Sequence, residues 1–197
     1  ANGVNKVVHS LSDWLHRQGI KIEVWGITKT PSAETPKRAY KLRLFKGKKL
    51  FFLPPNELKQ EMKKLPKDTI IHLHGILIPV FSKIATIATK LALPYVVTPH
   101  SALSKQALLR RSWRKNAYIS LIEKHHLTIA SRIQALTERE ALDIKKLAPE
   151  SNVTIIPNGI LFEMTSKKRK PSNKQAITPV FGFVGRIERY QKGLDIL

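Results

Sequence analysis

Apolar residues along the chain follow a helical period in some stretches and a strand period in others, and the two kinds alternate. Val4, Val7, Val8, Leu11 and Leu15 stand on one helical face, so residues 4–18 are predicted to be a helix closed by Gly19. Residues 20–27 then alternate as a short strand, and the Thr-, Pro- and Ser-rich residues 28–36 read as a loop. Short strands are predicted at 42–45 and 50–53, around Lys46-Gly47-Lys48, followed by a short helix at 57–65. Residues 69–73 read as a strand without clean alternation, as expected when both faces are covered. A helix at 80–91, a strand at 95–98 and a long helical stretch from about 105 to 130, broken near Ser112, come next. The series continues with a strand at 133–136, a helix at 138–147 and a strand at 153–156.

Strands separated by helices at this spacing define an α/β fold, a Rossmann-like, mostly parallel sheet flanked by helices. The order opens on a helix, which leads to the expectation that a first strand precedes it. Residues 163–178 change character: Lys167-Lys168-Arg169-Lys170-Pro171-Ser172-Asn173-Lys174 is basic and almost devoid of apolar groups, a solvated linker. Val180-Phe181-Gly182-Phe183-Val184 then reads as a strand leading to a candidate helix at 193–197. One strand and a few helical residues bury no core. The expected organisation is therefore a domain at 1–162, a linker at 163–178, and at 179–197 the truncated start of a second Rossmann-like domain.

Composition narrows the chemistry. The 197 residues include no cysteine, which removes disulfides, thiolate metal sites and cysteine nucleophiles and fits a reducing compartment. No apolar run is long enough to span a bilayer. Lys and Arg number 35 against 14 Asp and Glu, a net charge of +21, which favours an anionic partner: nucleic acid, lipid headgroups or a phosphorylated substrate.

In an open α/β sheet, ligands bind at the carboxyl ends of strands, and candidate residues cluster at such positions. Asn2-Gly3 stands before the first helix, where a glycine admits an anion to the helix N-terminus or merely forms a turn. His72 and His74 are two apart on a strand and share a face. A metal there would lack a third ligand, whereas His74 could line a pocket. His100, in Thr98-Pro99-His100-Ser101, directly follows an apolar strand and is placed to enter the crevice, where imidazole can donate to a sugar hydroxyl or phosphate or accept a proton. Pro157-Asn158-Gly159 marks a tight turn or lines the cleft. Gly185-Arg186 with Lys192-Gly193 has the makings of an anion clamp, or is plain surface. Separately, Lys105, Arg110, Arg111, Arg114 and Lys115, interleaved with Leu108, Leu109, Trp113 and Tyr118, form a basic amphipathic patch suited to an anionic membrane, to nucleic-acid phosphates or simply to solvent.

Taken in order, Asn2-Gly3-Val4-Asn5-Lys6, Ile70-Ile71-His72-Leu73-His74-Gly75, Val97-Thr98-Pro99-His100-Ser101, Ala135-Leu136-Thr137-Glu138, Ile156-Pro157-Asn158-Gly159 and Val184-Gly185-Arg186 with Lys192-Gly193-Leu194-Asp195 resemble the retaining two-domain glycosyltransferases of family four, which have the GT-B fold. The resemblance implies an acceptor-side first domain and transfer of a sugar, of hexosyltransferase type, from a nucleotide-sugar donor to a hydroxyl with retained configuration. It implies that His100 is the active-site histidine. Gly3, Arg186 and Lys192 would contact the donor diphosphate, and Asn2, His74, Ser101, Thr137, Asn158 and Gly159 would line the cleft. Asn2 stands where the family usually has a glycine. No cofactor or metal is expected. The partners implied are a nucleotide sugar, a glycan or lipid-linked acceptor and an anionic membrane surface met by the patch at 105–115. The resemblance thus points to polysaccharide, lipopolysaccharide or glycolipid assembly at the cytoplasmic face of a bacterial membrane. The family's donor-sugar glutamates would lie past Leu197, so this stretch alone is expected to be inactive. Two alternatives are an epimerase or phosphorylase on the same scaffold, and a nucleic-acid-binding module, which rests on charge alone.

Overall fold

The structure is a computed structural model that describes residues 3–31, 35, 37–47, 52–104, 108 and 117–159. The chain divides into two compact units, Ala1–Gly159 and Ile160–Leu197, and all described residues lie in the first. The strand and helix expected after residue 178 and the basic linker before them fall outside the described residues.

The elements are α1 (Gly3–Arg17), β1 (Glu23–Thr28), β2 (Lys41–Lys46), α2 (Asn56–Lys63), β3 (Ile71–His74), α3 (Pro79–Lys90), β4 (Tyr95–Thr98), a π-helical turn (Ile119–Glu123) running into α4 (Lys124–Ile129), β5 (Arg132–Ala135), α5 (Glu138–Leu147) and β6 (Val153–Ile155). Among the described residues every strand pairing is parallel. The described strands form two hydrogen-bonded sheets, β1-β2 and β3-β4-β5-β6, where a single sheet was expected. The predicted strand at 50–53 does not form where it is described, since Phe52 and Leu53 occupy a turn and bend with exposed side chains.

Burial explains the central sheet. Leu73, Val97 and Ile133 stand opposite one another in register and are buried, covered by residues such as Ala85 of α3, Leu127 of α4 and Ile144 of α5. The other face of these strands carries His72, His74, Arg132 and Gln134, so β3 and β5 do alternate, with one apolar face packed in the core, contrary to the expectation of a strand apolar on both faces. β3 begins later than its apolar run: pairing with β4 starts at Ile71↔Tyr95, while Ile70 is left 65% exposed. That shift makes His74 the last residue of the strand. On the other sheet, Arg43 of β2 lies over the rings of Trp25 and Phe45 and pairs with Glu61 of α2 at 2.7 Å. Phe45, 1% exposed, joins the same core as the central sheet.

Candidate functional site

Parallel pairing brings the carboxyl ends of β3, β4, β5 and β6 to one edge of the sheet, in that order. Three imidazoles meet there. His72 and His74, on one face of β3, stack with centroids 4.0 Å apart. His74 stacks in turn on His100, just past β4, at 5.4 Å, and His74 Nδ1 lies 3.1 Å from His100 Nε2. From His72 a second line of contacts runs along the edge. Thr98 donates its hydroxyl proton to Gln134 Oε1 at 3.1 Å, so the 2.7 Å contact from His72 Nε2 makes that nitrogen the donor to Thr98. Gln134 Nε2 donates onward to the Ile156 carbonyl at 2.9 Å. The edge residues of four adjacent strands are thus cross-linked by side chains.

Burial holds these imidazoles neutral. His72 is pushed down to about 4, first by burial and then by the charge of His100. His74 is pushed down to about 3 by burial, with the charges of His72 and His100 adding to it. His100 is also lowered by burial, and Glu140 opposes the shift. One proton is shared between His74 Nδ1 and His100 Nε2. Its position decides whether Nδ1 of His100 is presented as a donor or as an acceptor, the two roles a sugar hydroxyl can meet.

The loops that carry these groups are held by two buried carboxylates. His100 and Ser101 both have left-handed backbone, with φ of 54° and 61°, a conformation costly for residues with a Cβ. Glu140 of α5, 4% exposed, accepts the Ser101 N–H through Oε1 and the Leu136 N–H through Oε2, the latter at 2.7 Å. One carboxylate therefore ties the loop after β4 to the loop after β5. Glu123, equally buried, does the same for the loop after β3, where Leu77 has φ 61°: it accepts the Leu77 N–H at 2.9 Å and the Ser82 hydroxyl at 3.3 Å. Burial raises the Glu123 carboxyl, and these hydrogen bonds counter part of that effect. Gly75, at φ 120°, opens the same loop, and its N–H donates to the Thr98 carbonyl at 2.8 Å.

His74, His100, Ser101 and Thr137 are brought to this one edge. Ser101 is exposed and offers a hydroxyl beside His100. Thr137 is the N-cap of α5, its side chain accepting the Glu140 N–H at 3.1 Å, so its hydroxyl has a helix-capping function. Asn158 is partly buried and Gly159 exposed. Residues 156–159 form no turn, because Ile156 prolongs the strand pairing by donating to the Ala135 carbonyl at 2.8 Å. Gly3 opens α1 with nothing within 4 Å of where a Cβ would stand, so no close backbone packing demands a glycine there. Asn2, Lys105, Arg110, Arg111, Arg114, Lys115, Arg186 and Lys192 lie outside the described residues. Among the described residues no group of three or more His, Cys, Asp or Glu is disposed to hold a metal ion, and the imidazoles stack where a metal would need them to converge. Sequence reasoning passed over Glu123, Gln134 and Glu140. A signal existed for the last: Thr137-Glu138-Arg139-Glu140 has the spacing of a capping box.

A parallel α/β sheet with polar side chains gathered at the carboxyl ends of its strands is the ligand-binding arrangement of Rossmann-like domains. Residues 1–162 match the family model Glycosyltransferase Family 4, and the chain belongs to that family. The chain is accordingly a glycosyltransferase-type protein, acting between a sugar donor and an acceptor. No curated protein and no solved structure matches it. Among the described residues no helix is long and apolar enough to cross a membrane.

Proposed function

We propose that the full-length protein moves a hexosyl group from a nucleotide-sugar donor to an acceptor hydroxyl, with retention of configuration, using the edge at His100 as the acceptor-side wall of its cleft. The observation that carries this reading is the placement of His100. It sits at the carboxyl end of β4 in strained left-handed backbone, with its Nε2 engaged by His74 and the loop tied down by Glu140. A neutral imidazole held this firmly orients a hydroxyl without competing for its proton at neutral pH. In the step proposed, the acceptor oxygen bonds to the anomeric carbon while the bond from that carbon to the diphosphate oxygen breaks. The leaving diphosphate takes the acceptor proton on the same face. Arg186 and Lys192 are assigned to neutralise the charge that grows on it. The acceptor is proposed to be a glycan or glycolipid of a bacterial surface polysaccharide, met at the cytoplasmic face of the membrane.

Replacing His100 by Ala in the full-length protein should lower nucleoside-diphosphate release on the order of a hundredfold, while donor affinity changes little. Turnover and donor binding are measured separately. Unchanged turnover in H100A refutes the assignment.

A further inference from the structure

Away from the histidine edge, a groove of about 470 Å³ runs between α3 and the π-helical turn with α4. Its walls are tied together where Ser82 and Tyr118 share a 2.6 Å hydrogen bond. Four large apolar residues line it and remain exposed: Leu121 at 76%, Phe52 at 56%, and Ile122 and Ile129 at 39% each. Apolar residues of this size gathered in one patch mark a surface built for a partner. The π-helical turn shapes it. Ile119, Glu123 and Leu127 face the core, leaving Leu121 and Ile122 outward together.

Charge decides the partner. Lys83 and Lys90 of α3 line the groove, and Lys124 of α4, the neighbour in sequence of the lining His125, is exposed. Neither α3 nor α4 carries an acidic residue, and the acid of the π-helical turn, Glu123, is buried and turned to the Leu77 N–H. Burial, with His125 and Lys83 adding to it, lowers His126 in the groove. The face therefore combines exposed aliphatic side chains with an all-cationic described rim, on a chain of net charge +21. That pairing complements a surface with anionic headgroups above acyl chains.

We infer that the groove between α3 and α4 docks this protein on an anionic phospholipid bilayer, with Leu121 and Ile122 entering the acyl boundary and Lys83, Lys90 and Lys124 meeting the headgroups. The inference rests on described residues alone and does not depend on the transferase chemistry. Lipid binding is read without turnover, so its failure leaves the role of His100 standing.

A protein this basic meets any anionic surface, so the discriminating variants keep the charge. The chain is mixed with sedimentable vesicles of phosphatidylcholine with phosphatidylglycerol, or of phosphatidylcholine alone. The parent chain should partition onto the anionic vesicles, and L121S/I122S should bind them about tenfold more weakly or worse. Because the chain has no cysteine, Leu121→Cys gives a unique attachment point for an environment-sensitive dye. Its emission should shift to the blue on anionic vesicles. The same dye at Leu142→Cys, 57% exposed on α5, should not shift. Equal binding by L121S/I122S, or no shift from the dye at position 121 while the protein is vesicle-bound, overturns the proposal. So does failure of the parent chain to bind.

Discussion

At the scale of single residues, the site is organised by carboxylates that touch no imagined substrate. Glu140 gathers two backbone donors from loops that follow different strands, and one of them, Ser101, is next to His100 in left-handed backbone. Removing the carboxylate strands both donors. Glu140→Ala should cost about 1–3 kcal/mol of stability, read from chemical denaturation, and should lower turnover of the full-length protein through misplacement of His100. Glu140→Gln keeps an acceptor oxygen for one of the two donors and should recover part of both losses. These carboxylates were hard to read from the sequence for a specific reason. The Ser101 N–H lies 39 residues from Glu140, and the Leu77 N–H lies 46 from Glu123, so the need for each acid exists only after the loops are brought together. His100 was legible because its meaning is local: an apolar strand ends and an imidazole follows. The face shared by His72 and His74 was legible from strand period alone, and their stacking bears it out.

At the scale of elements, the pattern located nearly every helix and strand of the described residues, because one buried stripe per element is what the sheet demands. The bounds of β4 and α5 coincide with the ranges expected from the sequence, while β3 slides toward His74 because its pairing with β4 decides where the strand begins. The π-helical turn was not legible. Ile119, Glu123 and Leu127 repeat every four residues, a spacing an ordinary α-helix also produces. Within α5, structural and functional readings of Thr137 separate cleanly. Its hydroxyl caps the helix by accepting the Glu140 N–H, while the Glu140 carboxylate makes its own bonds to the loops. Thr137→Ala should therefore destabilise the domain by about 1 kcal/mol in thermal or chemical unfolding. Donor affinity in the full-length protein should stay close to that of the parent. A large loss of affinity at unchanged stability would instead place the hydroxyl in the cleft.

At the scale of the whole molecule, the histidines bias the fold against acid. Five of the seven, His9, His72, His74, His100 and His126, are lowered, each first by burial. Unfolding returns them to an ordinary value of about 6.5. Between there and their folded values the unfolded chain binds more protons than the folded one, so stability must fall as pH falls through that window. Above about 6.5 both states are neutral at these rings and the effect vanishes. The carboxylates held down by cations act in a lower window. Glu61, held down at about 2 by Arg43 and Lys64, loses its contribution only as pH drops from its ordinary value near 4.5 toward 2. Measurements between about pH 5 and 7 therefore stay clear of the lowered carboxylates and read the imidazoles, with the raised carboxyl of Glu123 acting in the opposite sense and common to parent and variant. Each fully titrating ring contributes a slope of at most about 1.4 kcal/mol per pH unit. His74→Gln removes the most strongly lowered of the rings in the site and should flatten the dependence by up to that amount. The comparison is a series of denaturant titrations across the window for parent and variant. An unchanged slope would mean that His74 binds its proton as tightly in the folded protein as in the unfolded one. In that case the neutral pair with His100 would not hold, and neither would the orienting role it supports.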